Sequence, residues 1–205
     1  MKFLKKVVLS LALCILLVIL SYYFLDKPVA LFVAQHNLPD YPIFEWISRI
    51  ANVILIIATL CIIILSTKNI LRPLNRLQKQ LFTCSLAIIV AVFFRIFFGS
   101  LFYRYWVRAG VDSNPTFIND QAYGFTLTHA GSHGAFPSGH TAMTFCAMTF
   151  IWILLPKWRP LAILLCLLQI IGLIAMNYHF VSDIIGGAFL GIVCALFAEK
   201  TFTKY

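Results

Sequence analysis

The chain has 205 residues, of which 61% are hydrophobic and 11% are charged. Soluble domains typically contain about 45–50% apolar and about 25% charged residues, so this composition excludes an ordinary soluble protein and indicates an integral membrane protein. The formal net charge of +9 would suit a nucleic-acid-binding protein, but the positions of the basic residues argue against that function.

Six long apolar segments follow one another along the chain, and each approaches the ~20 residues that cross the hydrocarbon core of a bilayer. They run from about Val7 to Leu25, Ile47 to Leu65, Leu81 to Leu101, Thr141 to Leu155, Leu161 to Met176 and Ile184 to Ala198. The sequence therefore predicts an all-α fold, a polytopic membrane protein with six transmembrane helices in a bundle. We expect residues 1–205 to form a single domain, because the spans leave no room for a separate soluble module.

The first apolar segment follows three lysines and so resembles a cleavable signal sequence. It ends at Ser21 to Phe24 in bulky aromatic residues, whereas signal peptidase needs small residues at that point. We therefore interpret it as an uncleaved span whose aromatic end lies at the membrane interface.

The basic residues divide unequally between the two ends of the predicted spans. One side holds Lys2, Lys5, Lys6, Lys68, Arg72, Arg76, Lys79, Lys157, Arg159, Lys200 and Lys204. By the positive-inside rule this side is cytoplasmic, which predicts a multi-pass protein of a bacterial-type inner (plasma) membrane with both termini in the cytoplasm. All the histidines, and every acidic residue except Glu199, fall on the outer side. The net charge thus reflects topology, and we expect no nucleic-acid partner.

The longest polar segment is the second outer loop, about Phe102 to Phe136, where glycines and an Asn-Pro pair argue against regular structure. Within it, His129 and His133 have the spacing of a metal-binding pair, but Gly131 and Gly134 oppose the helix that would bring them together. We therefore expect no metal site. The six cysteines are scattered singly through the apolar spans and indicate neither disulfides nor metal ligands.

The tetrapeptide Pro137-Ser138-Gly139-His140 opens the fourth apolar segment on the outer side. Ser138 suits the N-cap of a helix, and Gly139 has no side chain to block approach to the backbone. The N–H groups at a helix start attract anions such as phosphate. His140, which can titrate near neutral pH, would lie beside that anion site.

The second polar cluster, His179 and Asp183, lies at the outer end of the last apolar segment. Positions i and i+4 share one face of a helix, so the carboxylate can orient the imidazole and support positive charge on it, as a nucleophilic or basic histidine requires. Each residue alone also has a structural explanation, as an interfacial histidine or a helix cap. Two histidines, an anion site and a carboxylate on one membrane face favour catalysis.

Together these segments resemble the type 2 phosphatidate phosphatase superfamily, whose members share a P-S-G-H motif and a later S-R-x5-H-x3-D motif, preceded by K-x6-R-P. The P-S-G-H motif is complete at Pro137 to His140, and His179 with Asp183 matches the end of the later motif. The resemblance spans about Leu81 to Leu196 and implies a membrane lipid phosphatase.

The resemblance also implies a role for each matched residue. His179 would attack phosphorus to form a phosphohistidine, Asp183 would orient and stabilise it, and His140 would protonate the departing oxygen. Ser138 and Gly139 would hold phosphate oxygens. Water would then hydrolyse the phosphoenzyme, with no metal or other cofactor.

The chain departs from the family pattern in its cations. No lysine lies between residues 80 and 157, so the first motif is at best Arg95-x8-Arg104, and Gly172 and Leu173 occupy the Ser and Arg positions of the later motif. Because cationic groups stabilise the charge of a phosphoryl transition state, we expect either substitutes in the substrate-binding residues Arg95, Arg104 and Arg108 or a weakened or altered enzyme. For Arg104 and Arg108, contact with lipid headgroups is an equal alternative.

The sequence therefore predicts a phosphatase that hydrolyses a lipid phosphate or lipid pyrophosphate at the outer face of the inner membrane. Family analogy offers undecaprenyl pyrophosphate, phosphatidate, phosphatidylglycerophosphate and a lipid A phosphate as substrates without choosing among them. Two alternatives stay open: a lipid-to-lipid phosphotransferase, and a non-catalytic lipid-binding or transport protein on the same scaffold. The expected partners are membrane lipids and the lipid phosphate substrate, and the sequence does not predict an oligomeric state.

Overall fold

The computed structural model describes residues 2–104, 125–127 and 134–202, and the fold in this part of the chain is helical. The helices are α1 (Lys2–Phe24), α2 (Asp26–Gln35), α3 (Pro42–Ser48), α4 (Ile50–Leu71), α5 (Arg76–Leu101), α6 (Gly139–Leu154), α7 (Arg159–Ala175) and α8 (Val181–Phe202). Short 3-10 turns occupy Leu38–Asp40 and Pro156–Trp158. The predicted all-α fold is confirmed.

One small feature differs from the expectation for the second outer loop. Its described ends form two strands, β1 (Phe102–Tyr103) and β2 (Thr126–Leu127), which pair antiparallel. The strands contain phenylalanine, tyrosine and threonine. These residue types pack well on a pleated surface and therefore favour strand pairing. His129 and His133 lie outside the described residues.

Five helical segments in the described part are long and apolar enough to cross a bilayer. They are Phe3–Phe24, Pro42–Leu71, Arg76–Leu101, Pro156–Ala175 and Val181–Thr201. The chain is thus a multi-pass membrane protein. Helix α6, the remaining predicted span, has 16 residues, or about 24 Å at 1.5 Å per residue. It packs against α8, α5, α7 and α4, so protein surrounds much of it, and the exact number of crossings stays a prediction.

Helices α6 and α8 approach each other closely because glycines line the contact. A Cβ atom on Gly187 would lie 2.3 Å from the carbonyl oxygen of Ser138, and one on Gly191 would lie 2.2 Å from that of Ala142. Small residues four positions apart are typical of close contacts between membrane helices. This contact holds the start of α6 against the start of α8.

A buried glutamine supports the break between α3 and α4. The side-chain amide of Gln169 donates a hydrogen bond to the carbonyl of Ser48 (3.0 Å) and accepts one from the N–H of Ala51 (2.9 Å). These bonds satisfy backbone groups that the end of α3 and the start of α4 would otherwise leave unpaired. Gln169 therefore ties α7 to the junction of α3 and α4.

The two ends of the bundle differ in character. At one end the ring of Phe3 meets that of Phe197, with centroids 5.1 Å apart, and the ammonium of Lys200 lies 4.1 Å from the Phe3 ring. At the other end the N–H of Ser182 donates to Asp26 at 2.9 Å. The start of α1 and the end of α8 thus share one end of the bundle, and the predicted site lies at the opposite end.

Candidate active site

The turn between α7 and α8 places His179. Asn177 adopts a left-handed conformation with φ of 53°, and the N–H of Tyr178 bonds to the carbonyl of Leu173 at 3.0 Å while that of Asn177 bonds to Ile174 at 2.8 Å. These two bonds form a Schellman motif, in which asparagine tolerates the left-handed position. The helix therefore stops sharply, and the chain turns so that His179 lies just before α8.

Asp183 lies in the first turn of α8, and one of its carboxylate oxygens contacts both Phe180 and His179. Its Oδ2 accepts a hydrogen bond from the N–H of Phe180 at 3.0 Å, as the third residue of a helix does in a capping box. The same oxygen lies 3.5 Å from Nδ1 of His179, and both side chains are fully buried. The carboxylate thus fixes the helix start and the imidazole together.

Ser138 is the N-cap of α6, as the sequence predicts. Its hydroxyl accepts hydrogen bonds from the N–H of Thr141 (3.3 Å) and from the Thr141 hydroxyl (3.0 Å). Its own N–H donates to the carbonyl of Asp183 at 2.9 Å. The Ser138 N–H therefore ties the two motifs together, and the first-turn N–H groups of Gly139 and His140 are the ones placed to receive an anion.

The two histidines lie together at this end of the bundle. The ring centroids of His140 and His179 are 6.2 Å apart, with an angle of 64° between the planes. His140 is half-buried, whereas His179 is buried. Since Nδ1 of His179 faces Asp183, Nε2 is the ring nitrogen assigned to any reaction with a substrate.

Arg95 reaches the same place from α5. One terminal nitrogen donates a hydrogen bond to the carbonyl of Gly134 at 2.8 Å. A Cβ atom on Gly139 would lie 3.3 Å from the Arg95 side chain, so the missing side chain of Gly139 makes room for this arginine. The guanidinium is an electrostatic neighbour of both His140 and Asp183. The structure thus brings one predicted cation to the start of α6.

Arg104 lies elsewhere in the site, behind Asp183. Its fully buried guanidinium donates hydrogen bonds to Asp183 Oδ1 (3.0 Å), Ser182 Oγ (2.7 Å) and Asp26 Oδ2 (2.8 Å). Its central carbon lies 3.7 Å from the centroid of the Phe180 ring. Both terminal nitrogens of Arg104 donate hydrogen bonds to carboxylates, those of Asp183 and Asp26. Substrate binding by Arg104 stays a prediction. Arg108, the third predicted cation, lies outside the described residues.

Asp26 was not singled out from the sequence as a site residue. It is fully buried, and its carboxylate pairs with Arg104 and accepts hydrogen bonds from the N–H and the hydroxyl of Ser182. Burial raises the pKa of the Asp26 carboxyl above its usual range, while Arg104 and the Ser182 hydrogen bonds oppose that rise. An acid directly after a membrane span is costly unless it is paired, and that cost was the signal in the sequence.

Gly172 and Leu173, which occupy the Ser and Arg positions of the later family motif, are closely packed. A Cβ atom on Gly172 would lie 2.7 Å from the backbone nitrogen of Ser48, so α3 occupies the space of a side chain there. Leu173 is fully buried. Helix α7 therefore supplies no cation at these two positions, as the sequence indicated.

A polar cavity of about 290 Å³ lies beside His140. Its lining residues come from α3, α4, α6 and the turn before α8, and they are Glu45, Ser48, Arg49, Asn52, His140 and Tyr178. Arg49 forms an ion pair with Glu45 within this group, and both side chains are about half exposed. The cavity gives the half-buried His140 an approach from outside the bundle. Sequence reasoning missed it, because its members come from three stretches that are distant in sequence, residues 45–52, His140 and Tyr178.

Comparison with known proteins identifies a family for the chain. Neither the curated proteins nor the solved structures include a match to the chain. A family model described as the PAP2 superfamily matches residues 80–204, which is more than half of the 205 residues and includes both histidines, Asp183, Arg95 and Arg104. The protein therefore belongs to the PAP2 superfamily, whose members are phosphatases that act on phosphate esters.

Proposed function

We propose that this protein hydrolyses a lipid phosphate or lipid pyrophosphate through a phosphohistidine on His179. The observation that carries the proposal is the pairing of two imidazoles, 6.2 Å apart, with a carboxylate 3.5 Å from Nδ1 of one of them. That arrangement supplies a nucleophile, an orienting group and an acid. A protein that only binds lipid has no need of an oriented nucleophile.

The proposed reaction has two steps. Nε2 of His179 attacks phosphorus, the bond from phosphorus to the leaving oxygen breaks, and His140 gives that oxygen its proton. Asp183 stabilises the positive charge that develops on the His179 ring. Water then attacks phosphorus, His140 takes a proton from the water, and the bond from phosphorus to Nε2 breaks to release inorganic phosphate.

The phosphate would lie between Arg95 and the start of α6. Charge on the transferred phosphoryl group is stabilised by cations and by N–H groups fixed in place before the reaction. Arg95 and the N–H groups of Gly139 and His140 are such groups, and the close contact between Arg95 and Gly139 places them at one spot. We assign Ser138 the role of fixing this helix start, with contact to phosphate oxygens as a further expectation.

The leaving part of the substrate would approach through the polar cavity. His140 lines that cavity, and an acid must lie beside the oxygen that it protonates. The surrounding helices present apolar side chains outward, so a lipid can bring its phosphate to the site while its chains stay in the bilayer.

We also propose that the site opens on the outer side of a bacterial-type inner membrane. The distribution of basic residues supports this orientation by the positive-inside rule. The site lies at the end of the bundle opposite the start of α1 and the end of α8, which suits cytoplasmic termini.

The proposal predicts phosphate release from a lipid substrate without added metal. Protein purified in detergent should release inorganic phosphate from at least one member of a panel of lipid phosphates and pyrophosphates in excess EDTA, because side chains supply the nucleophile and the acid. A colorimetric phosphate assay measures this.

Each other outcome of the panel contradicts a stated part of the proposal. Loss of activity in EDTA with recovery on adding zinc would show a metal-dependent reaction. Release that requires an added acceptor lipid, with the phosphate appearing on that lipid, would indicate a phosphotransferase. Binding of the lipids without any turnover would indicate a binding or transport protein.

Arg95→Ala should lower kcat by roughly 10²- to 10³-fold, the usual cost of removing one donor that stabilises a transition-state anion. The matched control is Arg76→Ala, which removes an exposed arginine at the opposite end of the same helix and should leave kcat within about twofold. Steady-state phosphate release by both variants measures the difference. Equal kcat values in the two variants would remove Arg95 from the site.

A further inference from the structure

We propose that Asp26, through Arg104, is a positioning residue for the pair formed by Asp183 and His179. Asp26 begins α2 and lies outside the segment matched by the family model. The expected effect of Asp26 on kcat rests on the proposed function. The expected effect of Asp26 on the position and charge of His179 rests on geometry alone.

The contacts form a continuous buried chain from Asp26 to His179. Asp26 Oδ2 accepts a hydrogen bond from Arg104 at 2.8 Å, and another terminal nitrogen of Arg104 donates to Asp183 Oδ1 at 3.0 Å. The other oxygen of Asp183 lies 3.5 Å from His179 Nδ1. Ser182 joins both ends, since it accepts from Arg104 at 2.7 Å and its own N–H donates to Asp26 at 2.9 Å.

Charge explains why a second carboxylate belongs in this chain. One guanidinium facing one carboxylate would form a neutral pair, and the field of Asp183 at His179 would be largely cancelled. With Asp26 ionised, the three groups together carry a charge of −1, so Asp183 keeps its attraction for positive charge on the ring. The imidazole becomes positively charged when it takes the phosphoryl group, so this attraction acts at the reacting step.

Aromatic rings keep Arg104 in its place between the carboxylates. Its central carbon lies 3.7 Å from the Phe180 ring centroid, 4.9 Å from that of Phe125 and 5.4 Å from that of Tyr22. A planar guanidinium can stack on rings and bond carboxylates at its edge, which a lysine ammonium cannot do. These side chains come from α1 and from the residues just before β2 and just before α8, so the position of Arg104 depends on the assembled fold.

The first test is to measure kcat and KM for phosphate release by the Asp26→Asn variant. This variant keeps the shape of the side chain and removes its charge, and we expect kcat to fall roughly 10- to 100-fold, as on removing an outer partner of a functional histidine, with KM nearly unchanged. Asp26→Glu, which retains the charge, should recover part of kcat. Asp40→Asn is the matched control, because Asp40 is an exposed acid of the same outer segment, and its kcat should equal that of the wild type.

A double-mutant cycle separates positioning from a general structural role. If Asp26 acts through Asp183, Asp26→Asn should have little further effect on kcat in an Asp183→Asn background. Full additivity of the two substitutions would overturn the inference. So would a kcat for Asp26→Asn equal to that of Asp40→Asn.

Imidazole ¹⁵N NMR in detergent micelles tests the same link without any activity. The His179 signals are assigned by their loss in His179→Ala, and Asp26→Asn should shift them while Asp40→Asn should not. If the wild type releases no phosphate from any lipid, the proposed function fails, and the NMR result alone decides the role of Asp26. If Asp26→Asn does not fold, Arg104→Lys tests the same link, because an ammonium keeps the charge but cannot replace the two separate hydrogen bonds of the guanidinium to Asp26 and Asp183. Unshifted His179 signals in that variant would overturn the inference.

Discussion

His179→Ala is expected to abolish phosphate release, with a loss in kcat of at least about 10³-fold, as when a nucleophile is removed from a site whose groups act as a unit. The variant removes the atom that would bond to phosphorus, and no side chain described near it offers the same geometry beside Asp183. The protein should still fold, because Asp183 keeps its hydrogen bonds from Arg104 and from the N–H of Phe180. Phosphate release, with size-exclusion chromatography to check folding, measures both expectations.

The control for this substitution is His36→Ala. His36 is exposed at the end of α2, with its ring beside the carbonyl of Phe32, and its loss should leave turnover unchanged. Trapping with radiolabelled substrate should label the wild type and the His36 variant with acid-labile phosphate. A folded His179→Ala protein that hydrolyses substrate as fast as the wild type would contradict the phosphohistidine mechanism.

Gly187→Ala is expected to destabilise the protein by about 1–3 kcal/mol, the usual cost of forcing extra atoms into a packed core. The new methyl group would lie 2.3 Å from the carbonyl oxygen of Ser138, which is backbone and cannot rotate away. Helices α6 and α8 must therefore separate, and the hydrogen bond from the Ser138 N–H to the Asp183 carbonyl must lengthen. Both the melting temperature in detergent and kcat should fall.

Ile192→Val provides the control for the packing prediction. Ile192 lies on α8 next to Gly191 but is partly exposed, and the substitution also changes a single methyl group. Its melting temperature should match that of the wild type. If Gly187→Ala melted at the same temperature as Ile192→Val, the close approach of α6 and α8 would not limit stability.

The buried ion pairs of Arg104 with Asp26 and Asp183 have a desolvation cost, and this cost indicates that they serve a function. Removing one partner of a buried ion pair typically costs about 3–5 kcal/mol, yet apolar residues of similar volume often replace such pairs without loss of stability. Asp26, Arg104 and Asp183 are all fully buried, so stability alone is a weak reason for their presence. Support for positive charge on His179 is a reason that apolar residues could not supply.

Much of the fold and the proximity of the candidate site residues could be predicted from local sequence. Long apolar segments predict the membrane helices, because each helix satisfies its own backbone hydrogen bonds and needs only an apolar surface. Pro137 to His140 predicts a capped helix start, and the i, i+4 spacing of His179 and Asp183 predicts their proximity. The two-residue strand pair was not predicted, since it depends on pairing between residues distant in sequence.

The sequence by itself determined the membrane class, the helices and the family motif, because apolar length and motif spacing are properties of contiguous residues. Only the tertiary structure decided which charges meet. It joins Ser182 to Asp26 across 156 positions and Arg104 to Asp183 across 79, and it places Arg104 behind Asp183. Contacts between separate segments are set by how helices pack, and here glycines on α8 let α6 approach closely enough to bring the two histidines together.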